Sequence, residues 1–146
     1  MQTPQISVII PLYNKESIVG RTLQSVLSQS FEDFEVIVVD DGSKDSSVTV
    51  VESIHDERIH LIRQENGGPS KARNTGTRAA RGEWVVYLDA DDEFLPDALA
   101  IFHNAIEKNG NFNFFAFPYF NDNGRGQKIV DLTIDKPLKN PYKDIF

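Results

Sequence analysis

Three aspartates follow an apolar run, and their spacing suits a metal ion. The run Trp84–Leu88 is followed by Asp89, by Asp91 one residue further on, and by Asp92. A run of this length is typical of a buried strand, and ligands of open α/β sheets bind beyond the carboxyl ends of the strands. Because Mg²⁺ accepts carboxylate oxygens, the pattern indicates a site for a divalent cation and the phosphates it carries. The alternative is a solvated acidic turn before a helix.

Side chains with binding chemistry also follow two earlier apolar runs. Tyr13 comes after Ile6–Ile10, and Asp41 comes after Phe34–Val39. An aromatic ring can stack on a base, and a carboxylate can accept a hydrogen bond from a base N–H. If the strands are parallel, these side chains share one rim with the later aspartates. We therefore interpret the rim as a nucleotide diphosphate site.

A third group of polar residues opens a predicted helix. Pro69 suits the first turn of a helix over Ser70–Ala80, and Lys71, Arg73 and Asn74 lie in its first turns. A helix N-terminus attracts anions, and nearby cations add to that attraction. The alternative is a surface helix with solvated basic side chains.

The chain alternates predicted strands with predicted helices. The predicted strands are Ile6–Ile10 (which Pro11 ends), Phe34–Val39, Ile59–Ile62, Trp84–Leu88 and Phe112–Phe117, with Gln127–Val130 pairing back after a turn at Asn121–Gly124. The predicted helices are Ser17–Gln29 with Ser17 as its cap, a second capped by Asp45 or Ser46, Ser70–Ala80, and one from Pro96 to Gly110. This alternation predicts an α/β fold with a mostly parallel, Rossmann-like sheet and helices on both faces.

The composition indicates one folded domain and excludes several classes. The chain has 146 residues and a net charge of −7, which argues against a nucleic-acid partner, because phosphates require a basic face. It has no cysteine, no leader-like segment at Met1–Gln5 and no apolar run that could span a bilayer. We expect a cytoplasmic protein without a transmembrane segment, either free or peripheral at the membrane. We expect the domain to cover residues 1–134 and an irregular tail to cover 135–146.

Other catalytic classes lack their motifs. The turn Pro11–Asn14 has no glycine, which excludes the dinucleotide-binding fingerprint, and no P-loop motif occurs. No aspartate follows the first strand, where phosphoaspartyl enzymes and receiver domains would use one. His55, His60 and His103 have no metal-site spacing, so we expect them at the surface or its boundary.

Four motifs in order resemble those of the family 2 glycosyltransferases of the GT-A fold. They are ISVIIPLYN at Ile6–Asn14, VVDDGSKD at Val38–Asp45, NGGPSKARNTG at Asn66–Gly76 and YLDADD at Tyr87–Asp92. The resemblance covers roughly the first two thirds of the chain. With the alternating pattern, it implies the strand order 3-2-1-4 for the first four strands.

The resemblance also implies residue roles at the nucleoside end. Pro11 and Tyr13 resemble the wall against uracil, and Asp41 resembles the acceptor for the base N–H. Glu16 is similar to an acid often found near the nucleoside. Lys15 beside it stands where many members have a second acid. Asp40 could have a structural role instead of a nucleotide contact, by accepting a hydrogen bond within its own turn.

At the phosphate end, Lys71 and Arg73 lie where the family places basic contacts. Asp89 resembles the residue that contacts the ribose and joins the metal shell. Ala90, between the two aspartates, is also expected to contact the nucleotide sugar. Asp91 is the expected direct ligand of Mg²⁺ or Mn²⁺.

The resemblance implies an inverting, metal-dependent sugar transfer in polysaccharide biosynthesis. The donor would be a nucleotide diphosphate sugar, commonly a UDP-sugar, and the acceptor a saccharide or a lipid-linked glycan. Family members usually continue past this length and carry the catalytic base later, but no such motif follows Asp97. The alternative is therefore a non-catalytic nucleotide-sugar-binding module, or a fragment without the acceptor site and base. The catalytic base, the sugar, the acceptor and the oligomeric state are left open by the sequence.

Overall fold

Four parallel strands carry the predicted rim. The structure, a computed structural model, describes residues 3–108, 119–122 and 127–130. The chain divides into two units, residues 1–102 and 103–146. In order, the elements are β1 (Ile6–Leu12), α1 (Val19–Leu27), β2 (Phe34–Asp40), α2 (Ser47–Glu52), β3 (Ile59–Arg63), α3 (Pro69–Ala79), β4 (Trp84–Tyr87), α4 (Ala98–Lys108), β5 (Tyr119–Asp122) and β6 (Gln127–Val130).

The sheet of the first unit has the order β3-β2-β1-β4, with every neighbouring pair parallel. The predicted strand order and fold class are therefore confirmed. Ile6 of β1 pairs with Phe34 of β2 and with Trp84 of β4, so these three strands begin at the same level. Their carboxyl ends consequently lie along one edge.

Residues of β1 and β2 alternate between two apolar clusters, one on each face of the sheet. Ile10 and Val38 belong to the larger cluster with Leu23 of α1, whereas Ile9 packs in the smaller cluster with Ala72 of α3. Because successive side chains of a strand point to opposite faces, both faces of these central strands are buried. The predicted placement of helices on both faces is confirmed.

Pro11 lies inside β1, although we predicted that it ends the strand. Leu12 O accepts the N–H of Asp41 after β2, and Ile9 O accepts the N–H of Leu88 after β4. Even-numbered residues of β1 therefore bond to β2, and odd-numbered residues face β4. Pro11 is odd-numbered, so its nitrogen, which carries no hydrogen, faces β4. The pairing of β1 with β4 already ends at Ile9, so Pro11 removes no hydrogen bond of the described ladder.

Helix starts differ in detail from the prediction. Ser17 does not cap α1, which begins at Val19 with Ile18 as its flanking residue. At α2, Asp45 Oδ1 accepts the N–H of Ser47 at 3.0 Å, whereas the side chain of Ser46 makes no capping bond. Of the two predicted caps, Asp45 therefore satisfies the start of α2.

The last described elements only partly test the prediction. β4 is half-buried rather than fully buried, because it is an edge strand of the described sheet. β6 pairs antiparallel with β5, which confirms the hairpin, but Asn121 and Asp122 belong to β5 instead of the predicted turn. α4 begins at Ala98 rather than at Pro96. The predicted strand Phe112–Phe117, the helix end at Gly110 and the tail 135–146 lie outside the described residues. Among the described residues, no helix is long and apolar enough to cross a membrane.

A buried carboxylate fixes the connection between α3 and β4. Glu35 of β2 accepts hydrogen bonds from the hydroxyl of Ser7 at 2.7 Å, from the backbone N–H of Arg81 at 2.7 Å and from its guanidinium. Ser7 Oγ in turn accepts the N–H of Gly82. Burial acts to raise the pKa of Glu35, but these hydrogen bonds and the charge of Arg81 outweigh it and hold the pKa below its usual value.

The close approach of α3 to the sheet predicts opposite effects for two glycine substitutions. A Cβ at Gly76 would lie 2.5 Å from Ile9 Cγ2, whereas a Cβ at Gly20 of α1 would lie at an ordinary 3.5 Å from Val50 Cγ1. We expect Gly76→Ala to lower the free energy of unfolding by about 1–3 kcal/mol through overpacking. Gly20→Ala is expected to be neutral or stabilising by up to about 1 kcal/mol.

Urea unfolding of both variants beside the parent measures this difference. Equal stability of the two variants would mean that α3 does not need the glycine to reach the sheet.

Candidate functional site

A cavity of about 520 Å³ opens at the carboxyl ends of β1, β2 and β4. It is lined by seven of the predicted site residues: Pro11, Tyr13, Asp41, Arg73, Asp89, Ala90 and Asp91. The structure adds six lining residues that the sequence did not single out as contacts: Leu12, Lys15, Asn66, Gly68, Pro69 and Ala72. Two predicted residues, Glu16 and Lys71, lie outside this lining. Most of the predicted rim is thus gathered around one opening.

The end of β1 supplies an aromatic wall. Tyr13 is 45% exposed, and Pro11 beside it is half-buried. Asn14 follows in the left-handed region, with φ of 50°, and turns the chain away from the sheet. An exposed ring at the mouth of a cavity can stack on a planar ligand.

The loop after β1 is held by the loop after β2. The N–H of Asn14 donates to Ser43 Oγ, and Asn14 Oδ1 accepts the N–H of Lys44 at 2.7 Å. The N–H of Lys15 donates to Ser47 Oγ, also at 2.7 Å. These bonds fix the backbone that carries the aromatic wall and Lys15.

Glu16 belongs to the same clamp. Its carboxylate accepts the N–H of Ser46 at 2.7 Å, and its own N–H donates to Asp45 Oδ2. This contact places its carboxylate on the start of α2, outside the cavity lining. Its contact with a nucleoside stays a prediction.

Two adjacent aspartates, one at the end of β2 and one directly after it, serve different loops. Asp40 is buried, and its Oδ1 accepts the N–H of Ser43 at 3.1 Å. The alternative that Asp40 bonds its own turn is therefore what the structure shows. Gly42 has φ of 78°, a conformation that glycine adopts without strain, as the tight turn requires.

Asp41 holds the loop that leads into α3. Its carboxylate is buried and accepts the N–H groups of Gly67 at 2.9 Å and Gly68 at 2.7 Å, and the side-chain amide of Gln64 at 2.6 Å. The amide of Asn66 donates to Asp41 O at 3.0 Å. Asp41 therefore fixes the backbone immediately before the N-terminus of α3. Its predicted contact with a base N–H is not tested by these bonds.

The charge of Asp41 is stabilised by these donors. Burial alone would raise its pKa, but the bonds from Gln64, Gly67 and Gly68, together with the charge of Lys71, hold the pKa below its usual value. Lys71 packs its side chain over Gly67, where a Cβ would lie 2.1 Å from Lys71 Cδ. Lys71 therefore acts on Asp41 from outside the cavity lining.

The two predicted metal ligands each face a basic side chain. Arg73 Nη2 lies 2.5 Å from Asp89 Oδ1, and Lys15 Nζ lies 2.6 Å from Asp91 Oδ2. The lysine contact also lowers the pKa of Asp91 below its usual value. Both carboxylates remain about half exposed, at 50% and 48% of the side chain.

The backbone under these aspartates is anchored to α1. The buried hydroxyl of Thr22 donates to Ala90 O at 2.9 Å, and the N–H of Asp92 donates to Asp89 O at 3.0 Å. The turn directs Asp89 and Asp91 to the same cavity, although each carboxylate contacts a different basic side chain.

The carboxylates fit a cation that arrives with phosphates. Within residues 3–108 and the two described strands beyond, no group of three or more His, Cys, Asp or Glu side chains could hold a metal. Mg²⁺ is commonly bound by one or two carboxylates together with substrate phosphates and water. Asp89 and Asp91 could supply such a partial shell.

The bonds of Asp41 predict a pH-dependent loss of stability on mutation. Its folded-state pKa is lowered, so its contribution is complete above the unfolded pKa of about 4 and is lost as the pH falls through the folded value. We expect Asp41→Asn to lower the free energy of unfolding at pH 7 by about 1–3 kcal/mol. The difference from the parent should be smaller at pH 3, below the unfolded pKa, because there the unfolded parent binds a proton at this carboxyl more readily than the folded parent does.

Urea titrations at both pH values test this, with the exposed Glu52→Gln as the control. A deficit in Asp41→Asn that is unchanged at pH 3 would contradict the electrostatic origin.

Curated relatives match the chain over part of their own length. A glycosyltransferase of Haemophilus influenzae described as uncharacterized is 40% identical over 77% of this chain and 38% of the relative. The GalNAc(5)-diNAcBac-PP-undecaprenol beta-1,3-glucosyltransferase of Campylobacter jejuni is 36% identical over 75% of this chain and 41% of the relative. The chain spans from 21% to 41% of the length of these and six further curated relatives.

Solved structures share the fold. S. aureus TarS 1-349 in complex with UDP superposes with a TM-score of 0.69 at 33% identity, covering 73% of this chain and 33% of that one. The mannosyltransferase PcManGT from Pyrobaculum calidifontis, in complex with GDP-Man and Mn²⁺, gives 0.60 at 32% identity, covering 66% and 30%.

The family model of glycosyl transferase family 2 matches residues 7–144. That range includes every residue that lines the cavity and, apart from Ile6, all four motifs. With this match over nearly the whole sequence, the chain belongs to glycosyl transferase family 2.

Proposed function

We propose that the cavity is the donor site of a glycosyltransferase that uses a nucleotide diphosphate sugar. One observation carries the proposal: a single opening is lined by the exposed ring of Tyr13, the basic Lys15 and Arg73, and the carboxylates of Asp89 and Asp91. Aromatic, basic and acidic groups are what a base, a diphosphate and its metal require. The volume of about 520 Å³ lies within the range of small-molecule sites.

The nucleoside end lies at Pro11 and Tyr13, and UDP is the proposed nucleotide. The UDP complex of TarS supports this choice, whereas the GDP-Man complex of PcManGT supports the wider class of nucleotide sugars. Asp41 would accept the base N–H directly or act through the loop that it holds. Glu16 and Lys71 would support nucleotide binding from outside the described lining of the cavity.

The phosphate end lies at Arg73, Asp89 and Asp91. A bound Mg²⁺ or Mn²⁺ would supply Lewis-acid neutralisation of the leaving diphosphate. The chain itself would supply the carboxylates of Asp89 and Asp91 and the basic side chains of Lys15 and Arg73, which line the same cavity. The Mn²⁺ in PcManGT supports the use of a divalent cation.

The transfer that we propose goes with inversion to a saccharide or lipid-linked acceptor, in polysaccharide synthesis. A carboxylate base would take the acceptor proton during a single displacement. Among the described lining residues, the acids are Asp41, Asp89 and Asp91, and each accepts a hydrogen bond from another group. We therefore assign no base.

A second candidate is a donor-binding module or fragment without transfer activity. The acids of the described lining favour this candidate, since none of them is assigned as the base. Both candidates need the same donor site, so nucleotide binding tests the site and sugar transfer separates them. Release of UDP that depends on a saccharide acceptor would favour the enzyme.

The aromatic wall predicts that the ring of Tyr13, and not its hydroxyl, supports nucleotide binding. Tyr13→Ala should weaken UDP binding by about 1–3 kcal/mol through lost stacking. Tyr13→Phe keeps the ring and should bind nearly as well as the parent. Calorimetric titration with UDP and with GDP measures both effects and shows which base is preferred. Equal UDP affinity of Tyr13→Ala and the parent would place the base elsewhere.

The partial metal shell predicts that UDP and Mn²⁺ bind cooperatively. Each should raise the affinity for the other by about tenfold, within the usual range of coupling between two ligands. Asp91→Asn should remove most of this coupling, because it loses the charge that a cation needs. Glu93→Gln is the matched control, since Glu93 is an exposed acid of the same loop outside the lining.

Calorimetry of UDP with and without Mn²⁺ gives the coupling of each variant. If the coupling is retained in Asp91→Asn and lost in Glu93→Gln, the metal ligand is Glu93 and not Asp91.

A further inference from the structure

Lys15 and Asp91 form an ion pair across the cavity. Lys15 lies in the loop after β1, Asp91 lies in the loop after β4, and both line the opening. Their contact joins Nζ to Oδ2 at 2.6 Å. Lys15 therefore occupies the carboxylate of the expected metal ligand, and this contact requires an explanation of its own.

Both partners are carried by anchored backbone. The N–H of Lys15 is bonded to Ser47 Oγ, and its carbonyl accepts the N–H groups of Ile18 and Val19 at the start of α1. The residue before Asp91 is bonded through its carbonyl to the buried hydroxyl of Thr22. The two loops therefore face each other whether or not the ion pair forms.

The fold gains little from this ion pair. The side chains are 39% and 48% exposed, and ion pairs with such exposure contribute little to stability. The backbone bonds described above already hold both loops. The position of the pair inside the cavity lining points instead to ligand binding.

We infer that Lys15 is a resident counter-ion of Asp91 that a divalent cation displaces when a nucleotide diphosphate binds. This inference rests on the proposed function. An ammonium at bonding distance from Asp91 Oδ2 repels a divalent cation on the same carboxylate, so the two compete. The lysine has a flexible four-carbon stem and three donors, and once displaced it can turn to a diphosphate oxygen.

The exchange has a consequence for the order of binding. Without a diphosphate, a metal must displace Lys15 while the ammonium gains no new partner. With a diphosphate present, the displaced ammonium gains phosphate oxygens. Lys15 therefore weakens binding of the metal alone and strengthens binding of the metal together with the nucleotide, which suppresses a site loaded with metal only.

Lys15→Met separates these two effects because it keeps an unbranched side chain, one atom shorter than lysine, and removes the charge. In the absence of nucleotide, Mn²⁺ should bind the variant about fivefold more tightly, because it no longer has to break a contact between two unit charges in a water-like dielectric. At saturating Mn²⁺, UDP should bind it about fivefold more weakly, since one charge-assisted phosphate contact is lost. Lys15→Arg keeps the charge and should stay nearer to the parent in both measurements.

The test measures free Mn²⁺ by electron paramagnetic resonance and UDP or GDP binding by calorimetry, on the whole protein. Lys44→Met is the control, because Lys44 is an exposed lysine of the neighbouring loop that forms none of the described ion pairs. Circular dichroism of each variant checks that the fold is kept. Opposite changes of the two affinities in Lys15→Met, with Lys44→Met unchanged, support the exchange.

Two failures are distinguishable. Nucleotide binding by the parent with an unchanged or weaker Mn²⁺ affinity in Lys15→Met overturns the role of Lys15 and leaves the donor site in place. Failure of the parent to bind UDP or GDP at saturating Mn²⁺ overturns the proposed function and the diphosphate step together.

Discussion

Two buried carboxylates, one in β2 and one directly after it, hold both ends of α3, and the geometry of the cavity depends on this. Asp41 binds the N–H groups of Gly67 and Gly68 just before the helix, and Glu35 binds Arg81 just after it. Backbone N–H groups near a sheet edge need partners once water is excluded, and a carboxylate can satisfy several of them. One strand thereby fixes where the helix begins and ends.

The middle of α3 is set by packing rather than by hydrogen bonds. Gly76 has no Cβ, so the helix lies directly on Ile9 and Val39 at the centre of the sheet. A helix held at three points has little freedom to slide along the strands. This constraint is what brings Arg73 to the same opening as Asp89, sixteen residues later in the chain. A contact deep in the fold thus decides which charges meet at the rim.

The sequence predicted the parts of the fold that follow from pattern and failed where partner choice is decided by three-dimensional placement. The alternation of predicted strands with predicted helices was sufficient to predict the parallel sheet. The family motifs were sufficient to predict the order of its strands. Proline within β1 was misjudged because the loss of a ladder bond depends on which neighbouring strand the missing N–H faces and where that strand ends. Lys15 was noted only as a departure from the family pattern, since a long side chain can reach several acids and the sequence does not rank them. The carboxylate of Glu16 could likewise reach the nucleoside or the start of α2, and only the folded loop shows the second contact.

The charges that line the cavity nearly cancel, and this balance limits how a ligand can enter. Lys15 and Arg73 are each paired with one of the two rim aspartates, while the charge of Asp41 is shared among amide donors. A diphosphate alone would meet two carboxylates as like charges. A cation alone would meet the ammonium of Lys15 and the guanidinium of Arg73 already on its ligands. A diphosphate and a divalent cation together bring nearly cancelling charge, so each acid and each base can exchange its partner without leaving a charge unpaired. Because unpaired charge in a partly closed site is costly, the paired arrangement favours entry of the two components together.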